Sequence, residues 1–181
     1  MTLSKKRSYL KKKPFRRTAL KRPKVKSKPK VNLWAEFGLK KPVYTRYSGY
    51  AGILWWLMSQ YVRKSEWLEY GGECIDGCGN VITAWQDADC GHLKSASKLA
   101  TRFNRKNLGL QRKWCNSPYG GAGNSVGFAK TVDERYGPGT ALELEKLSQI
   151  ASRPFTKEWY REQIAVYLTK LETVDKQFQE N

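Results

Sequence analysis

Between Tyr50 and Tyr70 the apolar side chains Leu54, Trp55, Met58, Tyr61, Val62 and Leu68 recur at near-helical spacing, with Lys64 and Glu66 turned outward. That period predicts an amphipathic helix, ended by Gly71-Gly72. Trp55, Trp56 and Trp67 are read as helix core rather than as base-stacking platforms. Residues 31 to 48 carry no period and several aromatics around Pro42, and read as an irregular linker. Val81-Ile82-Thr83-Ala84-Trp85 is β-branched and aromatic, as in a strand, and Asn107-Leu-Gly-Leu-Gln111 is suited to return beside it. A polar, basic loop, Lys94 to Arg105, lies between them. The glycine-rich turn from Gly120 to Gly123 leads into a helix from about Ser125 to Tyr136, stopped by Gly137. Two more helices follow, near Thr140 to Ala151 and Thr156 to Val174, the second with Tyr160, Ile164, Tyr167 and Leu171 on one face. No internal repeat is evident.

Charge divides this chain of 181 residues unevenly. Residues 1 to 30 hold fourteen Lys or Arg and no acid, whereas the remainder has 20 basic and 16 acidic residues. The first segment, broken by Pro14, Pro23 and Pro29, is expected to be disordered alone. Such a segment releases counterions when it meets phosphates, so nucleic acid is the expected partner. The alternatives for the tail are solubilisation or a localisation signal. No secretory signal follows the basic N-terminus, and the longest apolar run, Tyr50 to Met58, is far below the roughly 18 residues of a membrane span. The expectation is therefore a soluble, cytoplasmic protein. In a reducing compartment its four cysteines are metal ligands or core residues rather than disulfides.

Cys74-Ile-Asp-Gly-Cys78 has the spacing of a zinc knuckle, which alone is half a site. Cys115 adds a third thiolate, but the residue three before it is Arg112. The fourth ligand is then Cys90 or a non-cysteine residue. His92, the only histidine, lies in Asp87-Ala-Asp89-Cys-Gly91-His92, downstream of the knuckle. A lone histidine among acids and thiols suits metal-assisted proton chemistry. It could equally be a hydrogen-bonded structural residue, as Asn107 and Asn116 could be turn or cap residues.

Gly91-His92-Leu93, Thr101-Arg102-Phe103-Asn104-Arg105-Lys106-Asn107, Gln111, Cys115-Asn116, Gly123-Asn124 and Tyr136-Gly137 with Leu142 to Leu147 together resemble the NinG (Rap) proteins of lambdoid phages. The helix from Trp55 to Arg63 resembles that family too, so the likeness covers roughly residues 50 to 150. It implies an HNH-like recombination nuclease acting on branched DNA, built on a ββα-metal finger. In that reading His92 is the general base, Asn107 holds the histidine loop, and Asn116 with Asp89 binds a catalytic Mg²⁺ or Mn²⁺. Arg112 stands where the family has the first cysteine of its second knuckle, which makes Cys90 the substitute beside Cys74, Cys78 and Cys115 around a structural zinc. The residue before the base is Gly91, so in that reading the carboxylate comes from Asp89 or Asp87, and Asp89 is the choice.

The sequence thus points to an α+β protein with a basic tail and linker over residues 1 to 48 and an HNH-like nuclease domain with C-terminal helices over residues 49 to 181. Its expected function is a metal-dependent DNA endonuclease preferring branched or Holliday-junction DNA. Lys94, Lys98, Arg102, Arg105, Lys106 and Arg112 are the candidate backbone contacts, and a dimer through the helices after residue 140 could cut two strands. The alternative is a non-catalytic zinc-containing DNA- or RNA-binding protein in which His92 completes the site of Cys74, Cys78 and Cys115.

Overall fold

The computed structural model describes residues 31–117, 119 and 123–180. The expected disorder of the tail, residues 1 to 30, lies outside them. From Leu33 onward the chain forms one compact unit whose frame is the helix α1, Gly49–Glu69. After it come strand β1, Ala88–His92; the short helix α2, Leu99–Arg102; strand β2, Leu108–Arg112; and the one-turn helix α3, Lys113–Asn116. Helices α4, Ser125–Tyr136, α5, Thr140–Ser148, and α6, Lys157–Glu180, complete an α+β fold.

Helices α1 and α6 run side by side in the same direction. Arg161 lies over the Tyr50 ring, Tyr61 packs edge-on to Tyr167 at 5.6 Å, and Trp67 stacks on Phe178 at 5.7 Å. The face of α6 expected from its spacing, Ile164, Tyr167 and Leu171, is buried against Ile53, Leu54, Leu57 and Met58 of α1. Residues 33 to 48, expected as a linker, belong to this packing. Trp34 is buried edge-on to Trp56 at 5.7 Å, and Tyr47 lies against Trp55 at 6.0 Å. Gly52 makes that approach possible, because a Cβ there would meet the Tyr47 carbonyl oxygen at 2.2 Å. Apolar burial overrode the lack of local periodicity.

The hairpin differs from expectation in its first arm. Val81 to Trp85 forms no strand: only a bridge from Val81 to Glu73 remains, Ile82 N–H donates to the Gly72 carbonyl, and a single 3₁₀ turn follows. Pairing starts at Ala88, opposite Arg112, and ends with His92 opposite Leu108. Strand propensity measures fit to a half-buried surface, and that surface is offered to residues 88–92 by α1. Gly91 faces Gly109 in the register, and a Cβ on Gly109 would strike Ile75 Cδ1 at 2.0 Å. The glycine lets the cysteine knuckle lie directly on β2.

Glu66, expected on the outer face of α1, is fully buried. Its Oε2 accepts from the Leu110 backbone N–H at 2.7 Å and pairs with Arg135 of α4 at 3.0 Å, while Oε1 pairs with Arg105 at 2.8 Å. Leu110 sits on the open edge of a two-stranded ribbon, and its carbonyl accepts from Ile75 N–H at 2.8 Å. Both edge groups of that residue are thereby satisfied inside the protein. Burial works against the charge on Arg105, but the Glu66 carboxylate outweighs it and raises the Arg105 pKa. Removing one partner of such a set leaves uncompensated buried charge, so Glu66→Gln should lower the unfolding free energy by about 3–5 kcal/mol. Urea unfolding checks this, and a change below about 1 kcal/mol would contradict the role given to Glu66.

Candidate functional site

Residue alternation along β1 directs Ala88, Cys90 and His92 toward α1, and Asp89 and Gly91 away from it. Cys90 is accordingly buried in the α1–α6 core beside Leu108. It does not join the other cysteines, so the expected four-thiolate site is not what the chain assembles. Cys74, Cys78 and Cys115 do come together, and Asp76 is the fourth member; their ligand atoms all lie within 4.8 Å of one another. Neither Cys90 nor His92 belongs to that group. Asp76 went unnoticed in the sequence, although an acid two residues after the first cysteine of a short knuckle was its visible signal.

The cluster is built by backbone turns as much as by side chains. Gly77 takes a φ of 68°, folding the knuckle so that Asp76 Oδ1 accepts from the Cys78 N–H at 3.1 Å and from the Cys74 thiol at 3.0 Å. Arg112 donates its backbone N–H to Cys74 Sγ at 3.2 Å, and Asn80 Nδ2 donates to Cys78 Sγ at 3.4 Å. Burial pushes the Cys74 thiol up; burial and the Asp76 carboxylate push Cys115 up to about 12. Burial opposes ionisation of Asp76 as well, yet hydrogen bonds from the surrounding thiols and the Cys78 N–H hold its carboxyl below the ordinary value. Three thiols and one carboxylate fit zinc, whose ligand atoms lie about 3.8 Å apart in a tetrahedron with bonds near 2.3 Å. A metal such as zinc would replace the thiol protons, coupling binding to pH and to folding. One equivalent should survive dialysis. Cys74→Ser should lose both metal and cooperative unfolding, Asp76→Asn should weaken metal retention, and Cys90→Ala should keep the metal. Elemental analysis after dialysis decides, and metal retained by Cys74→Ser would refute this ligand set.

His92 lines a cavity of about 420 Å³ together with Gln111, Cys115, Asn116 and Phe128. Its ring stacks on Trp55 at 4.8 Å with 21° between planes, and Nε2 lies 3.1 Å from the Arg102 carbonyl oxygen. A carbonyl only accepts, so Nε2 carries the hydrogen and Nδ1 keeps the lone pair. Burial lowers the imidazole pKa from 6.5 to about 4; the Arg102 carbonyl opposes this, while the Arg46 and Arg102 cations add to it. Asn107 is fully buried and spans the following loop: its Oδ1 accepts from Lys94 N–H at 2.7 Å, and Nδ2 donates to the Lys94 and Thr101 carbonyls, each at 3.0 Å. Asn116 Nδ2 donates to Asp89 Oδ2 at 2.9 Å. The histidine and the clamped loop thus lie at one end of the hairpin and the amide–carboxylate pair nearer the other, with Asn116 lining the cavity of His92.

The expected backbone contacts separate. Arg105 is tied to Glu66, Lys94 pairs with Glu145, and Arg102 donates Nε–H to the Ala96 carbonyl at 2.6 Å with its guanidinium over the Tyr47 ring. Arg112 lines a small groove with Thr83, Asp87 and Trp114. Lys98 and Lys106 are exposed. Since His92 is the only histidine, its Cε1–H proton resonance can be followed alone. It should stay in the neutral position down to about pH 5 and move near pH 4. Because the folded pKa lies below the unfolded value, the contribution of His92 to stability is full above pH 6.5 and is lost as pH falls toward 4. A midpoint near 6.5 would show that the imidazole is not held in this way.

No curated protein and no solved structure matches the chain. None of the described helices is long and apolar enough to cross a membrane. A family model does match, that of the Bacteriophage Lambda NinG protein, over residues 2–177. With nearly its whole length covered, the chain belongs to the NinG family.

Proposed function

We propose that this protein is a metal-dependent, HNH-like DNA endonuclease of phage recombination, acting on branched DNA through a histidine base. The observation that carries this reading is the cavity that His92 shares with Asn116, together with a tautomer that leaves Nδ1 as the proton acceptor. At neutral pH the depressed pKa keeps the imidazole unprotonated, so it is ready to take a proton from water attacking phosphorus. An arriving phosphate would raise that pKa, bringing proton affinity closer to the working pH. Asn107 fixes the loop whose Arg102 carbonyl orients the ring.

Asp89 and Asn116 offer hard oxygen donors, which suit Mg²⁺ or Mn²⁺, a cation usually completed by substrate phosphates and water. Bound there, the cation would neutralise charge on the phosphate and the leaving oxygen. The two metal sites have separate duties, since the soft thiol cluster supports α3, which presents Asn116, whereas the oxygen donors face substrate. Lys98 and Lys106, both exposed, and the basic segment before residue 31 supply affinity for the polyanion. Cutting both strands of a junction calls for two copies of the chain.

A second reading, a non-catalytic metal-containing DNA- or RNA-binding protein, is favoured by the stacking of His92 on Trp55, which is typical of a structural histidine. Single-turnover incubation with duplex, single-strand, fork and four-way junction DNA, with and without Mg²⁺ or Mn²⁺, separates the two. The nuclease should cut the junction only with metal, and His92→Ala should lose about a hundred- to ten-thousandfold in rate while retaining the thiol-bound metal and the fold. Asn116→Ala should be partly restored by raising Mn²⁺. Wild-type protein that binds these DNAs yet cuts none of them would hand the argument to the binding reading.

A further inference from the structure

The segment before α1 brings an arginine to the histidine that the hairpin does not provide. Arg46 is exposed, and its guanidinium carbon lies 5.7 Å from the Tyr47 ring centre and 5.9 Å from that of Trp55, the residue on which His92 stacks. Arg102, from the loop after His92, lies 4.9 Å from the same Tyr47 ring. Among the described residues neither arginine forms an ion pair with a carboxylate, whereas Arg105, Arg135 and Arg161 each do; Arg102 is held by one carbonyl, that of Ala96. Tyr47 itself is fixed, edge-on to both Trp55 at 6.0 Å and Phe103 at 6.4 Å. Two cations with no acidic partner among the described residues thus lie over one packed ring beside the sole histidine. Stacking on an aromatic face leaves the edge of a guanidinium, with its N–H donors, open toward an anion.

We propose that Arg46 and Arg102 form a phosphate clamp, holding the backbone of a DNA strand next to His92. The identity of the ligand rests on the nuclease reading; the clamp itself rests on the arrangement of charges. Planar guanidinium groups match phosphate oxygens in pairs of hydrogen bonds, and rings that fix them in advance reduce the entropy lost on binding. An anion here would also relieve the repulsion between the two cations and their pressure on the imidazole. Arg102 has further duties, since its Nε–H holds Ala96 and its carbonyl holds His92. Arg46, whose side chain lies against the rings of Tyr47 and Trp55 among the described residues, is the cleaner position to change.

The test is anisotropy of a fluorescein-labelled four-way junction and its matching duplex across a salt series, with the full chain and without divalent metal. Arg46→Gln should weaken binding roughly threefold or more and reduce the log–log salt slope by about 0.9 for the lost duplex phosphate contact. Arg46→Lys should keep most of the slope. Lys176→Gln, an equal loss of charge at an exposed site on α6, should change neither. An Arg46→Gln slope equal to wild type, an equal loss in Lys176→Gln, or absence of DNA affinity in the wild type would each overturn the clamp. Cleavage by the wild type, measured separately with Mg²⁺, judges the nuclease reading: cutting with an unchanged Arg46→Gln slope removes the clamp alone, and a reduced slope without cutting removes the nuclease alone.

Discussion

A carboxylate with no access to water organises this molecule. Two strands of five residues cannot stand alone, since an isolated hairpin is marginal in water. Here the ribbon borrows its stability from α1, which offers β2 a hydrogen-bond acceptor through Glu66 and β1 a donor through Arg63, whose Nη1 reaches the Ala88 carbonyl at 3.3 Å. Burying a charge so completely is tolerable only when it is paired and hydrogen-bonded on several sides. The partners Arg105 and Arg135 come from the turn before β2 and from α4, so the same carboxylate fixes where both segments enter the structure. The position of His92 against Trp55 follows from that docking.

The candidate site divides its tasks between the two ends of the hairpin. At the Ala88–Arg112 end, the cluster of Cys74, Asp76, Cys78 and Cys115 joins the knuckle to the turn after β2. At the His92–Leu108 end, Asn107 cross-links the loop that carries Arg102. Asn116 connects the two regions, because it follows a cluster cysteine directly, lines the His92 cavity and bonds to Asp89, the second residue of β1. A short helix of four residues is a weak platform by itself. Thiol ligation at Cys115 would give it the rigidity that placing an amide requires.

Several features were legible because they are local. Helix α4 and its stop at Gly137, the burial of the Ile164, Tyr167 and Leu171 face, and the close approach of Cys74 to Cys78 follow from short-range patterns, whereas Cys115 was legible only as a further thiol of the right chemistry. Local pattern failed where tertiary partners decided. Glu66 reads as an exposed helical acid until two arginines, 39 and 69 residues further along, surround it. Val81 to Trp85 has strand composition but no partner edge, and Cys90 has the chemistry of a ligand but points into the α1–α6 core.

The sequence by itself determined the inventory: a basic first segment, one histidine, a cysteine knuckle with a distant third thiol, and helices whose periods mark their buried faces. Motif order also carried the family resemblance, since spacing along the chain preserves it. Only the tertiary structure decided which acid joins the thiols, which arginines are consumed by Glu66, and which lie over the Tyr47 ring near His92. The reason is physical. A residue's propensity is set by its own side chain and near neighbours, but the charge it faces and the water it keeps depend on segments that folding brings from far along the chain.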